Sequence, residues 1–198
     1  MSWLPLELYS HGMIKFGRFK LTSGMDSPYY IDLRKLYSYP KLAKRVALEI
    51  INRFNIIEEV DAVVGVATAG IPLATYIAVI SEKPLAYIRS EKKAHGMESL
   101  VEGDVVGRTT AIVDDVATTG GSIERAWNSL TSAGSKPIAA IVIVDREQGA
   151  RERLSRLGLK FFSLITAREI FSELHKAGVI DESSLRELIE YVEKTRLM

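Results

Sequence analysis

The sequence predicts an α/β fold, a mostly parallel sheet flanked by helices, with a small N-terminal segment lying beside it. Five short apolar runs carry this reading: "DAVVGV" from Asp61, "PLAYIR" from Pro84, "TTAIVDD" from Thr109, "PIAAIVIVD" from Pro137 and "LKFFSLIT" from Leu159. They are rich in Val and Ile and continuous rather than alternating, the pattern of strands covered on both faces. Helical patterns separate most of them. Strands alternating with helices give a parallel sheet with right-handed crossovers.

Taken in order, residues 1–35 read as a short helix and a hairpin-like "IKFGRFKLTSGMDSPYYIDLR", forming a lid beside the sheet. "PKLAKRVALEIINRF" places Leu42, Val46, Ile50 and Phe54 on one helical stripe, with Pro40 suited to the first turn. "GIPLATYIAVIS" and "SIERAWNSLTSAG" are helical, the second closing at Gly134. Residues 167–198 read as two amphipathic helices. The last of these, "DESSLRELIEYVEKTR", opens acidic and ends basic, which suits the helix dipole. The connection "SEKKAHGMESLVEGDVVGR" reads as a long segment without structure, and loops of such length are uncommon in compact domains and often functional. The organisation is one domain over 1–198: a lid over 1–35, an α/β core over 36–166 with a flexible loop at 90–107, and C-terminal helices over 167–198.

Composition narrows the function. The 198 residues suffice for one domain with a sizeable core. The formal net charge of +1 argues against a generally basic nucleic-acid binder. There is no Cys, which excludes disulfides and thiolate metal sites. No signal-peptide pattern opens the chain, and no apolar run is long enough to span a bilayer. The expectation is a cytoplasmic, soluble protein without nucleic-acid or membrane partners.

The informative stretch is "AIVDDVATTGGSI", Ala111 to Ile123. Asp114 and Asp115 fall at the carboxyl end of a strand, where open α/β sheets bind ligands. Val116 and Ala117 lead into Thr118, Thr119, Gly120, Gly121 and Ser122, which open a helix. Unpaired N–H groups and the positive end of the helix dipole make that loop a site for a phosphate monoester. The glycines allow close approach, and the hydroxyls add donors. Carboxylates accept strongly from sugar hydroxyls. A ligand wanting both halves is a ribose 5-phosphate, with its hydroxyls on the acids and its phosphate in the loop. An N-capping cluster at an ordinary strand end is the alternative. The Gly-Lys-Ser/Thr of a Walker loop is absent.

This stretch resembles the signature of the type I phosphoribosyltransferases, which bind 5-phosphoribosyl 1-diphosphate (PRPP). The resemblance implies a Rossmann-like sheet, a flexible loop over the site, a small N-terminal hood, and Mg²⁺ held with the diphosphate. Other segments extend it. "GVATAGIPLA", Gly65 to Ala74, looks like the family's diphosphate loop, although a tight βα turn explains it equally. "RSEKKAHG" resembles the mobile loop of orotate phosphoribosyltransferases, whose matching residues here are Arg89, Lys93 and His95. In that family they reach PRPP, commonly across a homodimer interface. "FKLTSGMDSPYYIDLR" resembles the hood, where Tyr29, Tyr30 and Ile31 occupy the region that covers the base. "VDREQGARERL" matches the family's Asp-Arg, whose Arg, here Arg146, pairs with the base. A guanidinium suits the carboxylate of orotate; the alternative is an Arg that caps a helix or pairs with Glu147.

Carried over residue by residue, the resemblance implies transfer of ribose 5-phosphate from PRPP to orotate. Lys93, His95 and Asp115 would be catalytic. Arg89, Lys93, His95, Asp114, Asp115 and Val116 through Ser122 would bind PRPP, and Thr118 and Arg146 would bind orotate. Mg²⁺ would be ligated mostly by substrate, so no protein metal ligand is assigned. His11 and His175 receive no role. The chain departs from family members at Ser90, Thr22 and Ala69, where a Lys is common, and Lys92 is a candidate substitute for the first of these. A phosphoribosyltransferase for another base, and a non-catalytic PRPP-sensing regulator, are the rival readings.

Overall fold

The computed structural model describes residues 2–20, 26–90 and 100–196. Its centre is a six-stranded sheet. The strands are β3 (Ala62–Val66), β4 (Leu85–Ile88), β5 (Val101–Glu102), β6 (Thr109–Ala117), β7 (Lys136–Asp145) and β8 (Lys160–Thr166), in the order β5-β4-β3-β6-β7-β8. All neighbours run parallel except β5, which pairs antiparallel with β4 through Tyr87↔Glu102 and Ile88↔Val101. The five apolar runs are thus the five parallel strands. The sixth strand lies inside the connection expected to lack structure. It is two residues long and owes its pairing to the open edge of β4, so it carries no pattern of its own.

The covering helices follow the predicted segments, with one added between β7 and β8. They are α2 (Pro40–Arg53), α3 (Gly70–Ser81), α4 (Gly121–Ser132), α5 (Ala150–Arg156), α6 (Ala167–Lys176) and α7 (Glu182–Arg196). Pro40 sits in the first turn of α2, where its missing N–H would be unpaired in any case. The two amphipathic stripes bury opposite faces of the sheet. Val46 and Ile50 of α2 join Val63, Val113 and Ile141 in one core cluster, while Ile123, Ala126 and Leu130 of α4 join Val64, Ile112 and Val142 in the other. Residues alternating along β3, β6 and β7 feed the two layers in turn, which is why each run is apolar throughout. Helix α6 is fixed by a capping box: Thr166 accepts from the Glu169 N–H, and the Glu169 carboxylate accepts from the Thr166 N–H.

The N-terminal segment is α1 (Trp3–Ser10) followed by the antiparallel pair β1 (Ile14–Lys20) and β2 (Asp26–Ile31). It packs on α6 and α7 as well as on the sheet. Phe16 and Tyr29 both meet the ring of Phe171 edge-on.

Candidate active site

The five parallel strands, numbered along the chain, lie in the order 2-1-3-4-5. Connections diverge to opposite sides between β3 and β6, and ligands of such sheets bind in the crevice beyond the strand ends at that switch point. Asp114 and Asp115 stand there, in the last turns of β6. Next to them is the turn after β3. Gly70 opens α3 so close to β6 that a Cβ on it would lie 2.4 Å from the Val113 carbonyl oxygen and 3.2 Å from Asp114 Oδ1. The turn is held from outside by the half-buried Tyr37, whose hydroxyl donates to the Ala69 carbonyl at 2.9 Å.

The two acids do not titrate as surface carboxylates. Asp114 is 8 % exposed. Burial, reinforced by the neighbouring Asp115 charge, pushes its carboxyl well above the usual range. Burial also raises Asp115, against the N–H of Val116, which donates to it at 2.8 Å. The Asp115 N–H donates to Asp114 Oδ1 at 2.9 Å. The pair shares its titration, and ionising both requires a partner that brings positive charge or donors.

Beyond Ala117, Thr118 and Thr119 form a short turn into Gly120, whose φ of 78° is the left-handed conformation that glycine adopts without strain. Gly121 then opens α4, and no side chain caps its N-terminus. The first N–H groups of this twelve-residue helix therefore face outward unpaired, beside the hydroxyls of Thr118, Thr119 and Ser122. Two guanidinium groups flank the turn. A Cβ on Gly121 would lie 3.5 Å from Arg153 Nη1 and 3.6 Å from Arg125 Nη1. Helix α5 abuts the other side, with Ala150 Cα 3.2 Å from a Cβ on Gly120.

Arg146 follows β7. Its N–H donates to the Ala117 carbonyl at 2.9 Å, which ties it to the mouth of the turn before α4. Its side chain is buried under the hood, with Nε donating to the Tyr29 hydroxyl at 3.1 Å and the guanidinium carbon 4.6 Å from the Tyr29 ring centroid. Glu147 does not pair with it. Glu147 turns away at φ 59° and accepts instead from the Arg168 N–H at 3.1 Å. Arg89 ends β4, two strands from β6; its N–H donates to the Leu100 carbonyl and its Nη1 lies 3.6 Å from Glu102 Oε1. Lys93 and His95, like Lys92 and Thr22, lie outside the described residues.

Residues 35–158 match the phosphoribosyl transferase domain. The chain is 43 % identical over 185 residues to the orotate phosphoribosyltransferase of Sulfolobus acidocaldarius, covering 92 % of each chain. The chain belongs to the orotate phosphoribosyltransferase family. The crystal structure of the Aeropyrum pernix orotate phosphoribosyltransferase superposes with a TM-score of 0.79 at 36 % identity, over 90 % of this chain and 99 % of that one. Leishmania donovani UMP synthase superposes with a TM-score of 0.86 at 29 % identity over 98 % of this chain, which spans 42 % of that longer protein.

The three hood residues divide between two faces. Tyr29 and Ile31 are buried, and only Tyr30 of the three faces the other way, half-exposed beside Phe19. The alternation of burial along "DSPYYI" was available in the sequence, since side chains two apart on a strand share a face. Tyr37, Arg125 and Arg153 were not singled out from the sequence. Tyr37 and Arg153 reach the site across fold-level contacts that no local pattern announces, whereas Arg125 lies one helical turn from Gly121 on α4.

Proposed function

We propose that this chain converts PRPP and orotate into orotidine 5′-monophosphate and diphosphate, the pentosyl transfer of pyrimidine synthesis. The observation that carries the reading is the contiguous run Asp114 to Ser122 at the switch point, with the backbone N–H of Arg146, whose own cation is buried, donating to the Ala117 carbonyl in its middle.

The 5-phosphate sits on the N–H groups and hydroxyls of Thr118 to Ser122, with Val116 and Ala117 setting the loop's entry. The ribose hydroxyls donate to Asp114 and Asp115. Loss of diphosphate leaves positive charge on the sugar, and the acids stabilise it once ionised. Thr118 and Arg146 orient the base so that its ring nitrogen faces C1. Arg89, Lys93 and His95 bind the departing diphosphate, Lys93 being the principal cation. No covalent nucleophile is required, because positioning and electrostatics suffice. Mg²⁺, when bound with PRPP, neutralises charge on the diphosphate. A hard cation that keeps several of its waters would be held mostly by the oxygens of the substrate, so no protein ligand is assigned to it.

We read the enzyme as a cytoplasmic homodimer whose 90–107 loop serves the partner's site. Exposed Val79, Leu85 and Tyr87 beside the root of that loop support it. Mixing inactive Lys93→Ala and Asp115→Asn chains should then restore activity in hybrid dimers.

The primary test follows orotate by ultraviolet absorbance with PRPP and Mg²⁺, then without each. Consumption requiring both is the expected result. PRPP binding without consumption would refute the base assignment.

A further inference from the structure

Arg146 carries a charge that the described part of the fold leaves unanswered. It is 7 % exposed, Nη2 has no hydrogen-bond partner, and no carboxylate among the described residues lies within ion-pair distance of it. Leaving a buried charged donor unpaired is costly, and such groups are kept where a ligand completes them. The remaining side of the guanidinium is taken. Nε is engaged by the Tyr29 hydroxyl, and one face lies on the Tyr29 ring.

Tyr29 is itself immobilised. Its ring meets Phe171 of α6 at 4.9 Å and Tyr191 of α7 at 5.8 Å, both edge-on, and Ser27 Oγ donates to its carbonyl at 2.8 Å. Burial pushes its phenol upward, so the hydroxyl stays neutral at working pH and keeps a lone pair for Nε.

We propose that Tyr29 is a positioning residue for the acceptor base: its hydroxyl and ring lock Arg146 so that the Nη end of the guanidinium is what the substrate's carboxylate meets. The inference rests on the orotate reading above and refines it. A two-pronged grip through Nε and Nη2 is closed off, because Nε is occupied. Selectivity for an anionic base would thus be set partly by a hood residue that need not touch the base, backed by the two C-terminal helices.

The test is Tyr29→Phe in the full-length enzyme, which keeps the ring and removes only the hydroxyl. A hydrogen bond to a charged group is worth enough to raise KM for orotate about tenfold, with KM for PRPP unchanged. In an Arg146→Ala background the same substitution should add nothing to KM for orotate, because the two changes remove one interaction. Tyr191→Phe touches the same ring without bonding Arg146 and should leave KM for orotate at the wild-type value. Equal rises in both KM values for Tyr29→Phe, an undiminished effect in the Arg146→Ala background, or an equal effect of Tyr191→Phe would each overturn the proposal. If Arg146→Ala alone leaves KM for orotate unchanged, the base assignment of Arg146 fails first and takes this inference with it.

Discussion

Replacing Gly70 by Ala isolates the contact between the turn after β3 and the acids of β6. The backbone at Gly70 requires no positive φ, so the effect is steric rather than conformational. The new Cβ would stand 2.4 Å from the Val113 carbonyl oxygen and 3.0 Å from Asp114 Cα. Both obstacles are backbone of a central strand and cannot swing aside. Relief requires α3 to withdraw from β6 by about 0.6 Å, the distance from the 2.4 Å contact to the 3.0 Å below which Cβ atoms essentially never approach. Overpacking of this kind destabilises by about 1–3 kcal/mol. For a chain of this size each 1 kcal/mol lowers Tm by about 2–4 °C, so melting should fall by about 2–12 °C. The same displacement moves the turn after β3 relative to Asp114. Misplacement near 1 Å can slow a reaction about a hundredfold, and a smaller shift should lower kcat/KM for PRPP about tenfold or more. Thermal melting and initial rates of orotate consumption measure both. A variant with wild-type Tm and wild-type kcat/KM would show that the close approach is not part of the site, and would refute the argument.

Asp115→Asn should abolish most activity while raising Tm by roughly 2–4 °C near neutral pH, the shift about 1 kcal/mol produces. The sign follows from its raised pKa: the stability of the protonated form is complete below the unfolded value and is lost as pH rises through the folded one. The gain should therefore vanish on melting at about pH 3, and a gain of equal size there would contradict the cause given. Thr166→Ala breaks the capping box of α6 and should lower stability by about 1 kcal/mol, leaving both KM values unchanged; a change in either would show that α6 reports to the site more directly than its packing implies.

The parallel core was legible because each strand declares itself locally. "AVVGV" from Ala62 and "PIAAIVIV" from Pro137 are apolar without a break, and the helices between them carry the 3.6-residue stripe. The turn from Thr118 to Ser122 was legible for the same reason: it joins a strand to a helix within a few residues. What the sequence hid is what depends on distant partners. Nothing near Arg146 names Tyr29, which is 117 residues away. Nothing near Gly70 announces the carbonyl of Val113 beneath it. Strand β5 exists only because β4 offers an unpaired edge to Val101 and Glu102. The burial of Tyr29 could have been read from the period of β2, but the charge it holds could not.

Strand β6 has a neighbour on each side, β3 along Ala62–Gly65 and β7 along nearly its whole length. The amides of its middle, Ala111 to Val113, are buried and lie between the paired strands β3 and β7, so they should exchange with solvent deuterium only when the whole domain opens. The acids and the turn that follows are thus mounted on the slowest-exchanging element of the fold. On the proposed function, a ribose phosphate would find that half of its site already ordered, and little conformational entropy would remain to be lost there on binding.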